Sequence, residues 1–166
     1  SAVQDSLYIY DPELDAWREG TALPEPRAFL AGVVHKDEIY ALGGRDATRE
    51  RAEVWRYERG EGRWTSAPAL PAAGDALLAL AEGTSLYVLG GGRDDRPHLH
   101  ERFDTLTGSW STIDTPRQGP WRGAAGGVIG PTLHVVGGWS GEYLSIHEAY
   151  QAGFRTFLPL GARGAD

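Results

Sequence analysis

The sequence predicts an all-β fold built from repeated four-stranded antiparallel units, arranged radially as the blades of a propeller. The first observation is a short apolar run that ends in two glycines and returns at a spacing of 47 residues. A fixed period of this length is typical of repeat architectures. The three copies of the run are residues 39–44, 86–91 and 133–138.

The second observation is a pair of aromatic positions, seven residues apart in each cycle, followed by a proline near the end of the unit. Four cycles hold these positions with a drift of one residue, so the repeat begins before the first glycine pair. The aromatic pairs and prolines are Tyr10, Trp17 and Pro24; Tyr57, Trp64 and Pro71; Phe103, Trp110 and Pro116; and Tyr150, Phe157 and Pro159.

These positions resemble the kelch repeat, in which a glycine pair follows a hydrophobic strand and is itself followed by a Tyr and then a Trp. The resemblance covers nearly the whole chain, and residues 10–17 and 53–71 look like the second halves of two such repeats. It implies a single kelch-type β-propeller domain over residues 1–166. It says less about function, because kelch propellers bind protein partners, bind sugars or carry enzymes.

The chain opens with a predicted outer half-blade over residues 3–24. Residues 7–10 and 16–19 are short strand-like runs, and Pro12 in the turn between them presets a backbone φ suited to a turn. This hairpin has no glycine-pair strand before it. We therefore interpret it as the outer half of a blade.

The first complete blade is predicted over residues 27–71. Strands are expected at 29–35, 38–42, 52–58 and 63–66, with turns at 36–37 and 60–62. Short strands at regular spacing with turn signals between them are typical of all-β folds.

Two further four-stranded blades are predicted at 74–116 and 121–160, with 161–166 starting the connection to another blade. The opening strand of the second is expected at 76–80. The opening strand of the third blade is rich in glycine, which indicates that neighbouring backbones approach closely there. The prediction is thus a partial propeller of three blades and a half, whereas propellers typically close with 4–8 blades. Either a longer sequence completes the ring, or two copies associate as a homodimer.

Composition excludes several classes of protein. The formal net charge of −7 argues against a nucleic-acid partner, which requires clustered positive charge. The absence of Cys excludes disulfides and thiolate metal sites. No apolar run approaches the roughly 18 residues of a membrane span, so we expect no membrane partner. The absence of Met indicates that the chain begins inside a longer sequence. The cellular compartment stays open.

The candidate binding residues lie in the loops after the glycine pairs and in the links between blades, which in kelch propellers line one face. Arg with aromatic residues is the composition of interaction hot spots; the alternative is a solvated charged rim. Trp121 and Trp139 stand out because they lie outside the repeat pattern of Trp. The candidates are Arg45, Asp46, Arg49, Arg93, Asp94, Arg96, Trp121, Arg122, Trp139, Ser140, Glu142 and Tyr143.

We expect no metal, no cofactor and no catalytic residues. His98 and His100 alternate near acidic residues, which is a weak metal signal, and His35, His134 and His147 are scattered over strands with no obvious shared site. Ser140 lacks the strand-turn-helix context of a nucleophile elbow. The copper oxidases among kelch propellers need a Cys, which this chain lacks.

The favoured function is a non-catalytic module that binds a protein or peptide partner through the loops of one propeller face. One alternative is part of a carbohydrate-active enzyme of the sugar-mutarotase kind, with Asp94, Asp95 and Glu142 as acidic candidates. Another alternative is a purely structural half-propeller that assembles with copies of itself.

Overall fold

The computed structural model describes residues 3–92, 99–115 and 119–152, and within these ranges all regular structure is β-strand. The strands form four antiparallel sheets, and neighbours in each sheet are neighbours in sequence. This confirms the all-β prediction and the partial propeller of kelch-like blades. No helix among the described residues is long and apolar enough to cross a membrane.

The N-terminal half-blade is a hairpin of β1 (Tyr8–Asp11) and β2 (Ala16–Glu19). Its register places Tyr10 opposite Trp17, so the first aromatic pair of the repeat is a cross-strand pair. The Asp11 carboxylate accepts the backbone N–H groups of Glu13 and Leu14 and stabilises the turn.

The first blade pairs its four strands in sequence order, from the inner strand outward. Lys36 and Asp37 both adopt positive φ between the first two strands, as a tight two-residue hairpin turn requires. The strands are β3 (Ala31–His35), β4 (Glu38–Leu42), β5 (Val54–Glu58) and β6 (Arg63–Ala67).

The second blade repeats this arrangement, and the third does so for its first three strands. The fourth strand expected in the third blade falls after residue 152, outside the described residues. The second blade contains β7 (Leu77–Glu82), β8 (Ser85–Gly90), β9 (Leu99–Asp104) and β10 (Ser109–Thr112); the third contains β11 (Ala125–Ile129), β12 (Thr132–Val136) and β13 (His147–Gln151).

The inner strands start slightly later than the sequence indicated. Phe29 and Ala76 were expected to begin the inner strands of the first two blades, yet they have φ of 54° and 53°, and the equivalent Gly123 has φ of 60°. A strand requires negative φ, so each inner strand can begin only after this residue. The three residues are joined across blades, because the Ala76 N–H donates to the Phe29 carbonyl and the Gly123 N–H donates to the Ala76 carbonyl, at 2.9 and 3.2 Å.

The first glycine of each pair makes room for the link that leads into the next blade. A Cβ on Gly43 would lie 2.5 Å from the Gly74 carbonyl oxygen, and one on Gly90 would overlap the Trp121 carbonyl oxygen. Both glycines also have positive φ. Only glycine satisfies both conditions without strain.

The second glycine of the pair completes this contact with a hydrogen bond. The Gly44 N–H donates to the Gly74 carbonyl at 2.8 Å, and the Gly91 N–H donates to the Trp121 carbonyl at 2.8 Å. The first two glycine pairs therefore each connect their own blade to the following one through backbone atoms. This explains why the pair recurs with the period of the blade.

The hydrophobic core lies between blades rather than within a single sheet. One cluster joins the first and second blades, with Leu42, Val54 and Leu86 among its buried side chains. A second cluster joins the second and third blades through residues such as Tyr87 and Leu133. Each sheet thus buries its faces against neighbouring sheets, as layered β folds do.

The second aromatic of the repeat connects each blade to the one before it. Trp64 packs on Tyr57 with ring centroids 5.0 Å apart, and its indole N–H donates to the Thr21 carbonyl at 2.8 Å. Trp110 likewise donates to the Pro68 carbonyl at 3.1 Å. Trp17 is the equivalent residue of the half-blade, and it is 69% exposed because no described blade precedes it.

Apolar side chains are also exposed at the opposite end of the described blades. Ile129 and Val136 lie on the outer face of the third blade without a covering sheet. The homodimer suggested by the incomplete ring stays a prediction.

We expect Trp64→Phe to lower the free energy of unfolding by about 1 kcal/mol, because it keeps the stacked ring but removes the hydrogen bond to the preceding blade. Trp17→Phe is the matched control, since Trp17 makes the same cross-strand aromatic contact but donates to no described residue. Chemical denaturation measures both. Equal losses in the two variants would contradict the proposed bridging role of Trp64.

Gly90→Ala is expected to destabilise the chain by more than about 3 kcal/mol, because the added Cβ meets a backbone carbonyl at a position of positive φ. In Gly83→Ala the φ is also positive, 58°, but a Cβ there meets nothing within 4 Å. That control should cost about 1–2 kcal/mol through backbone strain alone. A similar loss of unfolding free energy in both variants would show that the inter-blade contact tolerates displacement.

Candidate functional site

The loops between second and third strands and the links between blades lie on one face of the propeller, called here the loop face. Successive antiparallel strands run in opposite directions, so alternate connections emerge at opposite ends. The hairpin turns between first and second strands and between third and fourth strands form the other face, called here the turn face. The loop face is where the predicted binding residues should meet.

In the first blade, Asp46 organises the loop that follows the glycine pair. One of its carboxylate oxygens accepts the Thr48 N–H at 2.7 Å, the Thr48 hydroxyl at 2.7 Å and the Arg49 N–H at 2.8 Å. The Thr48 hydroxyl contact and the two backbone N–H groups together lower the pKa of Asp46 below its ordinary range. Asp46 thus shapes the loop, and the Arg49 side chain is left exposed at its tip.

A charged groove of about 490 Å³ lies beside this loop. Arg27 forms its wall with a side chain only 2% exposed, donating to Glu25 at 2.6 Å and to Glu53 at 3.2 Å. Arg51 contacts the same two carboxylates at 3.0 and 2.8 Å and Asp46 at 3.3 Å. The hydrogen bond from Arg27 is the main cause that lowers the pKa of Glu25.

Two guanidinium groups therefore face three carboxylates in this groove, and the arginines are already paired. The groove itself is closer to neutral or slightly acidic, so an acidic partner segment would have to displace Glu25 or Glu53. Glu25 and Asp46 remain partly accessible as acceptors for a partner.

Arg45 contacts the link between the first and second blades. Its guanidinium lies 3.9 Å from the carboxylate of Asp75 in the link into the second blade, and the Asp75 side chain is buried. The backbone N–H of each of Arg45 and Ala28 donates a hydrogen bond to the carbonyl of the other. Arg45 is thus half-buried at the base of the loop face rather than at its rim.

In the third blade, Arg122 packs on Trp139 at the rim of the loop face, and Tyr143 lies beside Trp139 through a backbone bridge. These three residues are called here the aromatic cluster. The Arg122 guanidinium carbon lies 4.4 Å from the centroid of the Trp139 ring, a cation–π contact. Backbone bonds between Arg122 and Trp139, at 2.9 and 3.0 Å, hold the two residues together. The backbone of Tyr143 forms a β-bridge with that of Trp139, and Tyr143 is 93% exposed.

The tip of this loop is a tight turn that contains the other two candidates. The Ser140 N–H donates to the Glu142 carbonyl at 3.0 Å, and the Leu144 N–H donates to the Gly138 carbonyl at 3.0 Å. The Glu142 side chain is exposed. Its proposed acidic companions Asp94 and Asp95 lie outside the described residues.

Trp121 occupies the core rather than the surface. Its side chain is 2% exposed and packs with Tyr87 and Leu133, while its indole N–H donates to the Gly137 carbonyl at 2.8 Å. Trp121 therefore links the second and third blades, and in this structure its ring offers no surface to a partner. The contact surface of this region belongs to Trp139 and Tyr143.

The structure thus brings the candidates together in two groups. The first-blade group is Asp46 with Arg49 above the charged groove, and the third-blade group is Arg122, Trp139, Ser140, Glu142 and Tyr143. Arg93, Asp94 and Arg96 lie outside the described residues.

Sequence reasoning missed Glu25, Arg51 and Glu53, which form the groove. The available signal was the alternation of charged residues near the link that contains Arg27 and the loop that contains Asp46. The contacts among these charged residues join positions up to 26 apart in sequence, so only the folded structure reveals them.

Comparison with known proteins agrees with this architecture. Residues 26–71 match the Kelch motif, which covers the first blade. Kelch-like protein 7 of Rattus norvegicus is 31% identical over 110 residues, covering 65% of this chain and 19% of that protein. The chain belongs to the kelch-repeat family.

Other relatives extend the similarity along the chain. Kelch repeat protein M-T8 of Myxoma virus is 31% identical over 140 residues, covering 80% of this chain and 26% of that protein. Kelch-like protein 40 of Mus musculus is 27% identical over 157 residues, covering 94% of this chain and 22% of that protein. The chain spans about a fifth to a quarter of the length of these curated relatives.

The Asp46 carboxylate is expected to stay ionised well below the ordinary Asp pKa of about 4. A lowered folded-state pKa contributes stability that is present above the unfolded value and is lost as pH falls through the folded value. Thr48→Val removes the hydroxyl donor and should raise the pKa of Asp46, as followed by NMR titration.

Thr21→Val is the control for that titration, because the Thr21 hydroxyl donates to the distant Gly62 carbonyl. It should leave the titration of Asp46 unchanged. An Asp46 that titrates at its ordinary value in the unmodified chain would show that the loop does not hold its two backbone donors in place.

Proposed function

We propose that this kelch-repeat chain is a non-catalytic interaction module that binds a protein or peptide segment through its loop face. The observation that carries the proposal is the aromatic cluster of Arg122, Trp139 and Tyr143, in which Tyr143 is exposed and the other two side chains are partly exposed, although the repeat pattern does not require these residues. Trp, Tyr and Arg are the residues most enriched among interaction hot spots.

The cluster is held in place before any partner arrives. Backbone bonds join Trp139 to Arg122, and the turn at Ser140 is closed by its own hydrogen bond. Preorganised aromatic side chains lose little conformational entropy on binding, which favours affinity. Loops carried on a rigid β scaffold are a common location for recognition residues.

The charged groove of the first blade would provide the polar part of the interface. Because its arginines are paired with carboxylates, it favours a segment that brings hydrogen-bond donors to Glu25 and Asp46. The exposed Arg49 beside it adds one cation that forms no ion pair with the described residues. The proposed partner is thus a polar segment with at least one apolar or aromatic side chain for the third-blade cluster.

The proposal is tested with a random-peptide display library selected on the immobilised chain of 166 residues. Affinities of the selected peptides are then measured for variants of the loop face. Tyr143→Ala and Trp139→Ala should each weaken binding by about tenfold or more, as hot-spot truncations do.

Leu106→Ala is the matched control, because Leu106 is 72% exposed but lies in a turn of the opposite face. It should leave the affinities unchanged. Selected peptides that are insensitive to both aromatic variants, or a library that yields no binder, would contradict a recognition role for the loop face.

A further inference from the structure

The outer face of the third blade brings two histidines into contact. The Nδ1 atom of His134 in β12 lies 2.9 Å from the Nε2 atom of His147 in β13, with ring centroids 5.1 Å apart and rings inclined by 33°. The antiparallel register pairs His134 with Ala149 and His147 with Val136, so the histidines are diagonal neighbours on one face. The sequence had these histidines scattered over strands, and their contact becomes visible only in the fold.

The surroundings of the pair leave space around both rings. His134 is flanked by Gly127 on one neighbouring strand and by Ala149 on the other. A Cβ built on Gly127 would meet nothing within 4 Å. Among the described residues His147 is exposed and His134 is partly exposed.

In the other blades the corresponding positions serve a packing role. The repeat aligns His134 with Tyr40 and Tyr87, and both tyrosines are buried. The Tyr87 hydroxyl donates to the Ala152 carbonyl of the following blade at 3.0 Å. The third blade replaces this tyrosine with histidine, a residue whose ring nitrogens can bind metals.

We propose that His134 and His147 form a two-imidazole chelate for a divalent first-row transition metal, with Cu²⁺ the favoured ion. Imidazole nitrogens bind such metals at about 2.0–2.1 Å, so two of them at a right angle are about 2.9 Å apart. The two nitrogens are already at that separation, but the ring centroids are 5.1 Å apart because the nitrogens point almost directly at each other in a hydrogen bond. Both rings must therefore turn before their lone pairs converge on one ion. Right-angled nitrogen ligands suit tetragonal Cu²⁺ and Ni²⁺, and Cu²⁺ binds most strongly in the divalent series.

Binding requires both rings to turn and one ring to change tautomer, with no net release of protons in this exchange. In the metal-free pair, one ring donates an N–H to the nitrogen of the other. When the metal binds, the donating ring carries its proton on its other nitrogen, and both facing nitrogens offer lone pairs. No group of three or more His, Asp or Glu among the described residues completes the coordination, so water fills the remaining positions.

The test is calorimetric titration of the chain with Cu²⁺, together with electron paramagnetic resonance of the complex. We expect one ion per chain with two nitrogen ligands. His134→Gln and His147→Gln should each weaken binding by about 100-fold, because either change removes the chelate effect. The double variant should bind at least as weakly as either single variant.

His98→Gln is the matched control and should bind Cu²⁺ with unchanged affinity. His134→Tyr restores the residue type of the other two blades, so it should lose the metal while keeping the unfolding transition. Wild-type affinity in His147→Gln, or a loss on His98→Gln, would overturn the proposal and show adventitious binding elsewhere. The proposed site lies apart from the loop face, so the peptide affinities should be the same in the His134→Gln and His147→Gln variants.

Discussion

The contact between a glycine pair and the link into the next blade, seen in the first two blades, is the constraint on which the rest of the structure depends. Gly43 leaves room for the Gly74 carbonyl, and the Gly44 N–H donates to that same carbonyl. A four-stranded sheet has two faces and cannot bury them alone, so each blade needs its neighbours. The backbone contact brings neighbouring sheets close enough for side chains such as Leu42 and Leu86 to share one core.

The aromatic positions of the repeat reinforce this contact from the outer strands, where Trp64 reaches back to the preceding unit. The same residue type therefore has a different role wherever a neighbour is missing from the described residues. Trp17 is exposed in the half-blade, and the His134 and His147 pair faces solvent in the third blade. Exposure in this fold depends on the presence of the adjacent blade as much as on the residue itself.

The location of the candidate site could be predicted from the sequence, but the role of each residue in it could not. The repeat predicts candidate loops after the glycine pairs, since the connection at that point emerges on the same face in each described blade. It could not show that Arg45 pairs with the buried Asp75, or that Trp121 packs inside the core while Trp139 lies at the rim. Both Trp residues depart from the repeat pattern, and only their distant neighbours distinguish them.

The sequence by itself determined the all-β class, the 47-residue period and the positions of turns and glycine pairs, because these depend on local backbone preferences repeated in every unit. The tertiary structure decided the starts of the inner strands, the paired state of Arg51 and the meeting of His134 with His147. Those features depend on strand register and on contacts between different blades. Residues far apart in sequence set them, so no local pattern could reveal them.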